Sequence, residues 1–166
     1  MPTIKKVLQN KLAGARRIAV LGIGSDLRGD DVAGMLAAED VAKYTIKKPR
    51  SKIKVFFGST APENLTGEIK KFIPTNLIII DTVEMREKPG TILVLEPGEV
   101  GADVSFSTHK MPAKILAQYF MNSLKCKIII IGIQPSSIEF GKAPSKDVKS
   151  AAKEIASAIR DAIYGK

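Results

Sequence analysis

The sequence contains very little cysteine and few aromatic residues. Cys126 is the single cysteine among 166 residues, so an internal disulfide is excluded, as is typical of proteins from a reducing cytoplasm. We expect Cys126 to be buried, because it opens an apolar segment and free cysteine commonly packs inside. Aromatic residues make up only 5% of the chain and are not interleaved with the basic residues, so a surface for stacking nucleic acid bases is not indicated.

Long hydrophobic runs are absent as well. No apolar run approaches the roughly 18 residues of a membrane span. Residues 1–17 are basic but have neither the continuous apolar core nor the cleavage site of a secretory signal. We therefore expect a soluble, cytoplasmic protein without membrane insertion.

The overall composition is that of a globular protein. A hydrophobic fraction of 45% excludes a disordered chain, and 166 residues predict one domain over residues 1–166, with residues 1–14 as an N-terminal helical extension. The net charge of +9 is spread over predicted helix faces, which favours a solvated surface over nucleic acid binding. An acidic protein partner and the lysine-rich surface of a heat-stable protein stay open as alternatives.

Hydrophobic periodicity predicts helices that alternate with strands. The predicted strands are residues 17–23, 52–59, 76–82, 91–97 and 126–133, and two of them, "NLIIIDT" and "CKIIIIGI", are apolar without alternation, as expected of strands buried on both faces. The predicted helices are residues 3–13, a second from Asp30 or Asp31, a third within 60–72, a fourth at 112–124 and a fifth from Asp147. In the fourth helix we expect Ile115, Leu116, Tyr119 and Phe120 to face inward.

This alternation predicts an α/β fold. Strands separated by helices of a dozen residues form right-handed crossovers, and hence a mostly parallel, twisted sheet of about five strands with helices on both faces. We expect a single domain of the phosphorylase or hydrolase type.

The segment "GIGSDLRGDD", residues 22–31, follows the first strand but is not a nucleotide-binding loop. Leu27 stands where the dinucleotide fingerprint requires its third glycine, and no Gly-Lys-Ser/Thr sequence of a P-loop is present. Its aspartates would repel a phosphate. The chemistry therefore favours a cation or an electrophile as the partner of this loop.

Acids and the single histidine follow three different strands. Asp30 and Asp31 follow the first strand, Asp81 ends the third, and His109 follows the fourth. Because loops after parallel strands emerge at one edge of a sheet, we expect these side chains to converge. Carboxylates and a neutral imidazole suit nickel, iron or zinc and leave coordination positions open.

Structural roles are the alternative for each of these residues. Asp30 or Asp31 could cap the second helix, where a carboxylate accepts backbone N–H bonds. Asp81 could form a turn, although a charge at the end of such an apolar strand is costly without a partner. His109 could be a structural loop histidine.

Five segments follow one another along the chain: "GIGSDLRGDD", "GSTAPEN", "IIIDTVEMREKPGTI", "STHKMP" and "IIGIQP". Taken in this order they resemble the hydrogenase maturation endopeptidases, most closely the branch that serves formate-hydrogenlyase-type hydrogenases. The similarity runs from about residue 16 to the last helix. Ser25 and Val32 depart from the pattern, which usually has Asn and often Gly at these positions. The N-terminal helix is unmatched, and the sequence assigns it no role.

The resemblance implies an aspartyl-type endopeptidase with one task. Such an enzyme removes the C-terminal peptide from the precursor of a nickel-iron hydrogenase large subunit after nickel insertion. The resemblance makes Asp31, Asp81 and His109 the nickel-binding and catalytic residues, and we expect Gly24, Arg28 and Asp30 to contact the substrate. Nickel would come with the precursor, the free protein would hold no tightly bound metal, and we expect a monomer.

Two other functions remain open at this stage. One is a metal-dependent hydrolase of a small molecule on the same scaffold. The other is a chaperone without catalytic activity that senses nickel in the precursor.

Overall fold

The computed structural model describes residues 2–45, 52–99, 101, 105–106 and 113–165. Helices and strands alternate along most of the chain. The helices are α1 (Ile4–Lys11), α2 (Ala33–Thr45), α3 (Thr66–Phe72), α4 (Ala113–Ser123) and α5 (Lys146–Tyr164). The strands are β1 (Arg17–Ile23), β2 (Lys52–Ser59), β3 (Asn76–Glu84), β4 (Ile92–Leu95), β5 (Ser105–Phe106) and β6 (Lys127–Ile133).

Five strands form the main sheet, in the order β2-β1-β3-β6-β4. The strands β2, β1, β3 and β6 are parallel to one another, and β4 is an antiparallel edge strand beside β6. The predicted single-domain α/β fold with a mostly parallel sheet of five strands is thus confirmed. The two-residue strand β5 was not predicted, and it pairs antiparallel with the end of β3.

The core consists of two layers, one on each face of the sheet. In β3, Ile78 and Ile80 face the layer that α1, α2 and α5 cover, whereas Leu77 and Ile79 face the layer that α3 and α4 cover. All of β3 except its last residue is buried, and β6 is buried except for its first residue. The prediction that these two apolar strands are covered on both faces is confirmed.

Two predictions about helices were partly wrong, namely the residue at which helix two begins and the set of residues in helix four that face inward. Residues Gly29–Val32 form a 3-10 helix, and α2 begins only at Ala33. In α4, Leu116 and Phe120 are buried, but Ile115 is 51% and Tyr119 41% exposed. Adjacent residues on a helix point about 100° apart, so when Leu116 and Phe120 face the sheet, their neighbours Ile115 and Tyr119 face partly away from it.

The N-terminal helix packs into the domain. Leu8 and Leu12 are buried in the same core layer as α5, and the Lys11 ammonium lies 2.9 Å from a carboxylate oxygen of Glu96, just after β4. The helix therefore covers part of the sheet near its β4 edge.

Cys126, expected in the interior, is only half-buried, at the margin of the layer under α4.

Of the helices within the described ranges, none has the length and apolar character needed to span a bilayer.

Candidate active site

Two of the predicted site residues lie at the carboxyl edge of the parallel strands. Asp31 belongs to the 3-10 helix that follows β1, and Asp81 lies near the end of β3, the neighbouring strand. Their exposed fractions are 2% and 0%. Burial removes a carboxylate from water at a large cost in free energy, so each acid requires neighbouring polar or cationic groups that offset this cost.

A direct hydrogen bond joins the two segments that carry these acids. The Thr82 hydroxyl donates to the backbone carbonyl of Asp30 at 3.2 Å, and the Thr82 N–H donates to Oδ1 of Asp81 at 2.8 Å. Asp31 follows Asp30 and Asp81 precedes Thr82, so each acid is adjacent in sequence to one partner of this hydrogen bond. The structure brings together these two of the three residues predicted to bind metal.

Gly24 allows the loop after β1 to fold back over itself. It has φ +153°, and a Cβ at this position would overlap the backbone carbonyl oxygen of Asp31. Its N–H donates to the Ser59 carbonyl at the end of β2, at 2.9 Å. The structure gives Gly24 a structural role, because only glycine permits this approach to Asp31. Its predicted contact with substrate stays a prediction.

Asp30 does not cap helix two, which was the structural alternative for this residue. Its carboxylate accepts hydrogen bonds from Ser136 N–H at 2.7 Å, from Ser145 N–H at 2.6 Å and from the Ser145 hydroxyl at 2.9 Å. Ser145 is the N-cap of α5, so Asp30 binds the loop that leads from β6 to α5. With 1% of its surface exposed, Asp30 positions this loop, and its predicted contact with substrate stays a prediction.

Arg28, the third residue predicted to contact substrate, is exposed at the same edge. Its backbone carbonyl accepts from the N–H of Asp31 at 3.0 Å, which closes the turn before the acid. Its substrate contact stays a prediction, and its exposure leaves the guanidinium accessible.

His109 lies outside the described residues. Its predicted position at this edge depended on residues 91–97 forming a parallel strand, and this part of the prediction was wrong. In the structure β4 is antiparallel, with Ile92 beside Ile133 and Leu95 beside Ile130, so β4 ends at the opposite edge. The chain then returns, because Phe106 in β5 pairs with Val83, two residues after Asp81.

Within the described ranges, no three His, Cys, Asp or Glu side chains form a group that could hold a metal ion. The predicted set has its third member, His109, outside those ranges. Its convergence with Asp31 and Asp81 stays a prediction.

Sequence reasoning missed Gln134, the residue after β6. Its Oε1 accepts from Met85 N–H at 2.8 Å and from Glu87 N–H at 3.3 Å, while its Nε2 donates to both carboxylate oxygens of Glu84 at 3.1 Å. Gln134 is 4% exposed and fixes the segment that leaves β3 just beyond Asp81. The available signal was a polar amide directly after a buried strand, since such a group requires hydrogen-bond partners.

The chain is similar to known proteins over most of its length. Residues 35–162 match the sequence model of the family described as hydrogenase maturation protease, a range that contains Asp81 and His109 and begins after Asp31. A putative hydrogenase maturation protease of Methanocaldococcus jannaschii is 32% identical over 141 residues, which cover 82% of this chain and 83% of that protein. The hydrogenase 3 maturation protease of Escherichia coli K12 is 31% identical over 136 residues, covering 82% and 84%.

Solved structures agree with this similarity. The crystal structure of the nickel-iron hydrogenase maturation protease HycI from Thermococcus kodakarensis superposes with a TM-score of 0.83 at 30% identity, covering 95% of this chain and 99% of that chain. The solution structure of the endopeptidase HycI from Escherichia coli gives a TM-score of 0.72 at 30% identity, covering 85% and 87%.

Proposed function

The chain belongs to the hydrogenase maturation protease family, and from this premise we propose that it removes the C-terminal peptide from the nickel-loaded precursor of a nickel-iron hydrogenase large subunit. Members of this family are peptidases, so the reaction is the hydrolysis of a peptide bond. The similarity to HycI proteins is consistent with the formate-hydrogenlyase-type branch that the sequence segments resemble.

One observation carries the nickel-dependent part of the proposal. Asp31 and Asp81 come from segments 50 residues apart in sequence, and both are buried at one edge of the sheet, beside the hydrogen bond from Thr82 to Asp30. Two buried carboxylates at one edge of the sheet, on segments joined by this hydrogen bond, are suited to hold a cation, because a bound cation offsets the negative charge of both.

The third ligand in the proposal is His109. Its support is the path of the chain, because Phe106, three residues earlier, pairs with Val83 just beyond Asp81. Oxygen and imidazole ligands together suit nickel among the divalent ions, and three protein ligands leave the remaining positions to the substrate.

In the proposed mechanism Asp31, Asp81 and His109 bind the nickel that the precursor already holds through its cysteines. This contact fixes the scissile bond against the edge of the sheet, so that hydrolysis starts from an oriented complex. A precursor without nickel offers nothing for the three side chains to bind. Nickel insertion is thereby checked before the peptide is removed, and the free enzyme needs no resident metal.

Gly24, Arg28 and Asp30 support this site in different ways. Gly24 and Asp30 hold the shape of the acid loop, which is residues 24–31 after β1, through the close approach to Asp31 and the hydrogen bonds to Ser145. Arg28 is exposed beside them, and we assign it a contact with the precursor. The single cysteine suits a cytoplasmic enzyme, and we propose that it acts as a monomer.

The test is an incubation with nickel-loaded and nickel-free precursor side by side, followed by intact-mass measurement of the precursor. We expect mass loss only with the nickel-loaded form. The variant His109→Ala should fold normally but leave the precursor uncut. Asp40→Asn is the control, because Asp40 lies on α2 and pairs with Lys43 away from the site.

Each contrary outcome points to a different function. An unchanged precursor mass with the wild-type protein would reject the proposal in favour of a nickel-sensing chaperone. A metal ion bound in the freshly purified protein would favour the hydrolase of a small molecule. Normal cleavage by His109→Ala would remove this histidine from the site while leaving the protease activity in place.

A further inference from the structure

Two large apolar side chains are exposed next to the acid loop. Leu27 is 59% exposed and lies four residues before Asp31, and Phe140 is 74% exposed in the loop between β6 and α5. A single exposed apolar residue needs no explanation, but this pair lies on two segments that are in direct contact.

Backbone hydrogen bonds join the loop of Leu27 to the loop of Phe140. Gly141 N–H donates to the Leu27 carbonyl at 2.9 Å, Gly29 N–H to the Lys142 carbonyl at 3.1 Å and Asp30 N–H to the Ser137 carbonyl at 2.9 Å. The carboxylate of Asp30 adds its bonds to Ser136 and Ser145 on the same loop. The two apolar side chains are therefore carried on a fixed backbone and need no burial to hold their position.

We propose that Leu27 and Phe140 bind an apolar segment of the precursor next to its cleavage site. This inference rests on the proposed function, which makes the substrate a folded protein that must reach Asp31. The contact is continuous with the site, because the segment Leu27–Asp31 carries an apolar residue at one end and the acid at the other. Preorganised apolar anchors of this kind lose little conformational entropy on binding.

A second copy of the chain is the less suitable occupant. Stable dimers bury about 800 Å² on each partner, which is far more than two side chains provide. The surrounding surface of this loop pair is polar, with Asp26 and Arg28 exposed beside Leu27 and Glu139 and Lys142 exposed beside Phe140. A small apolar anchor within a polar rim is typical of a transient protein contact.

The experiment compares Leu27→Ser, Phe140→Ser and the double variant with Ile73→Ser. Ile73 is a matched control, because it is 67% exposed but lies in the turn between α3 and β3, at the opposite edge of the sheet. The three variants at Leu27 and Phe140 should keep the wild-type melting temperature. Ile73→Ser should not lower it, because Ile73 has a left-handed backbone (φ 53°) that serine adopts with less strain than a β-branched residue. For the double variant we expect the Kd for nickel-loaded precursor, and the KM of cleavage, to rise about tenfold with kcat nearly unchanged.

The outcomes separate this inference from the proposed function. If the wild-type protein leaves the precursor uncut, the proposed function fails, whereas the apolar contact is judged by the Kd alone. If the double variant binds the precursor as tightly as the wild type and Ile73→Ser do, the apolar contact is overturned. It is also overturned if sedimentation shows a wild-type dimer that the double variant disrupts, with precursor binding unchanged.

Discussion

The carboxylate of Asp30 accepts hydrogen bonds from both the backbone N–H and the hydroxyl of Ser145, at 2.6 and 2.9 Å, although the two residues are 115 positions apart in sequence. Ser145 caps α5 through its hydroxyl, which also accepts from Val148 N–H. One buried acid therefore fixes the start of the 19-residue helix α5 against the loop that carries the predicted nickel ligand Asp31. The two neighbouring aspartates therefore differ in role. Asp30 positions the loops at this edge of the sheet, and Asp31 is proposed to bind the substrate's metal.

The first prediction concerns this contact. Asp30→Ala leaves the N–H groups of Ser136 and Ser145 without their acceptor in a buried place, so we expect the free energy of unfolding to fall by about 3 kcal/mol. Urea denaturation measures this. Asp40→Asn, whose carboxylate pairs with Lys43 on the surface of α2, should change it by less than about 0.5 kcal/mol. Equal stability of the two variants would mean that water replaces the carboxylate at no cost.

The second prediction concerns Gly24. In Gly24→Ala the new methyl group overlaps the carbonyl oxygen of Asp31, so the loop must move and cleavage of the precursor should be lost together with about 1–3 kcal/mol of stability. Gly67→Ala is the matched control. Gly67 lies in α3 with no neighbouring atom within 4 Å, and alanine should stabilise the helix by about 0.5–1 kcal/mol. A Gly24→Ala protein that cuts normally would show that the position of Asp31 tolerates a shift.

The third prediction concerns α1, to which the sequence assigned no role. Leu8 has no exposed surface and packs in the core layer of α5, so Leu8→Ala should lower the free energy of unfolding by about 2–5 kcal/mol. Lys6→Ala, on the exposed side of the same helix, should leave it within about 0.5 kcal/mol of the wild type. If both variants unfold alike, α1 contributes little to the core.

Sequence patterns predicted the parts of the fold that depend on burial. The apolar runs of β3 and β6 indicated strands covered on both faces, and the spacing of Val148, Ile155 and Ile159 indicated the face of α5 that is buried. The direction of β4 was out of reach, because four apolar residues look the same in a parallel and an antiparallel strand. The return of the chain through β5 rests on two residues, which is too short for any periodicity.

The candidate site likewise has features that the sequence predicts and features that it does not. The order of acids after strands was enough to predict that Asp31 and Asp81 share an edge, because parallel strands impose it. The role of Asp30 was not predictable, since its partners Ser136 and Ser145 are more than 100 residues away and adjacent aspartates look alike in a sequence. The contacts of Gln134 depend likewise on a segment about 50 residues distant.

The fourth prediction concerns tyrosine titration. The ammonium of Lys70 donates to the Tyr119 hydroxyl and stabilises the phenolate, which lowers the pKa of Tyr119 from its ordinary value of 10.0, whereas burial raises the pKa of Tyr164. Phenolate absorbance followed against pH should contain a component below pH 10 that Tyr119→Phe removes. Lys70→Met should move that component to higher pH, and Tyr164→Phe should remove a component above pH 10. A low component that persists in Tyr119→Phe would assign it to another tyrosine.

The last prediction tests the charge at Asp81. In the wild type the Thr82 N–H donates to Oδ1 of Asp81 at 2.8 Å. Asp81→Asn keeps the side-chain volume and an oxygen that can accept this bond, and it removes the negative charge. Because loss of a group that merely orients a metal ligand costs about 10- to 100-fold, loss of a ligand should lower cleavage of nickel-loaded precursor by at least about 100-fold. Far-UV circular dichroism should stay that of the wild type, and Asp40→Asn should cut at the wild-type rate. Cleavage by Asp81→Asn at that same rate would exclude a carboxylate at this position from holding the substrate's nickel, and would leave Asp31 as the only buried acid of the proposed set.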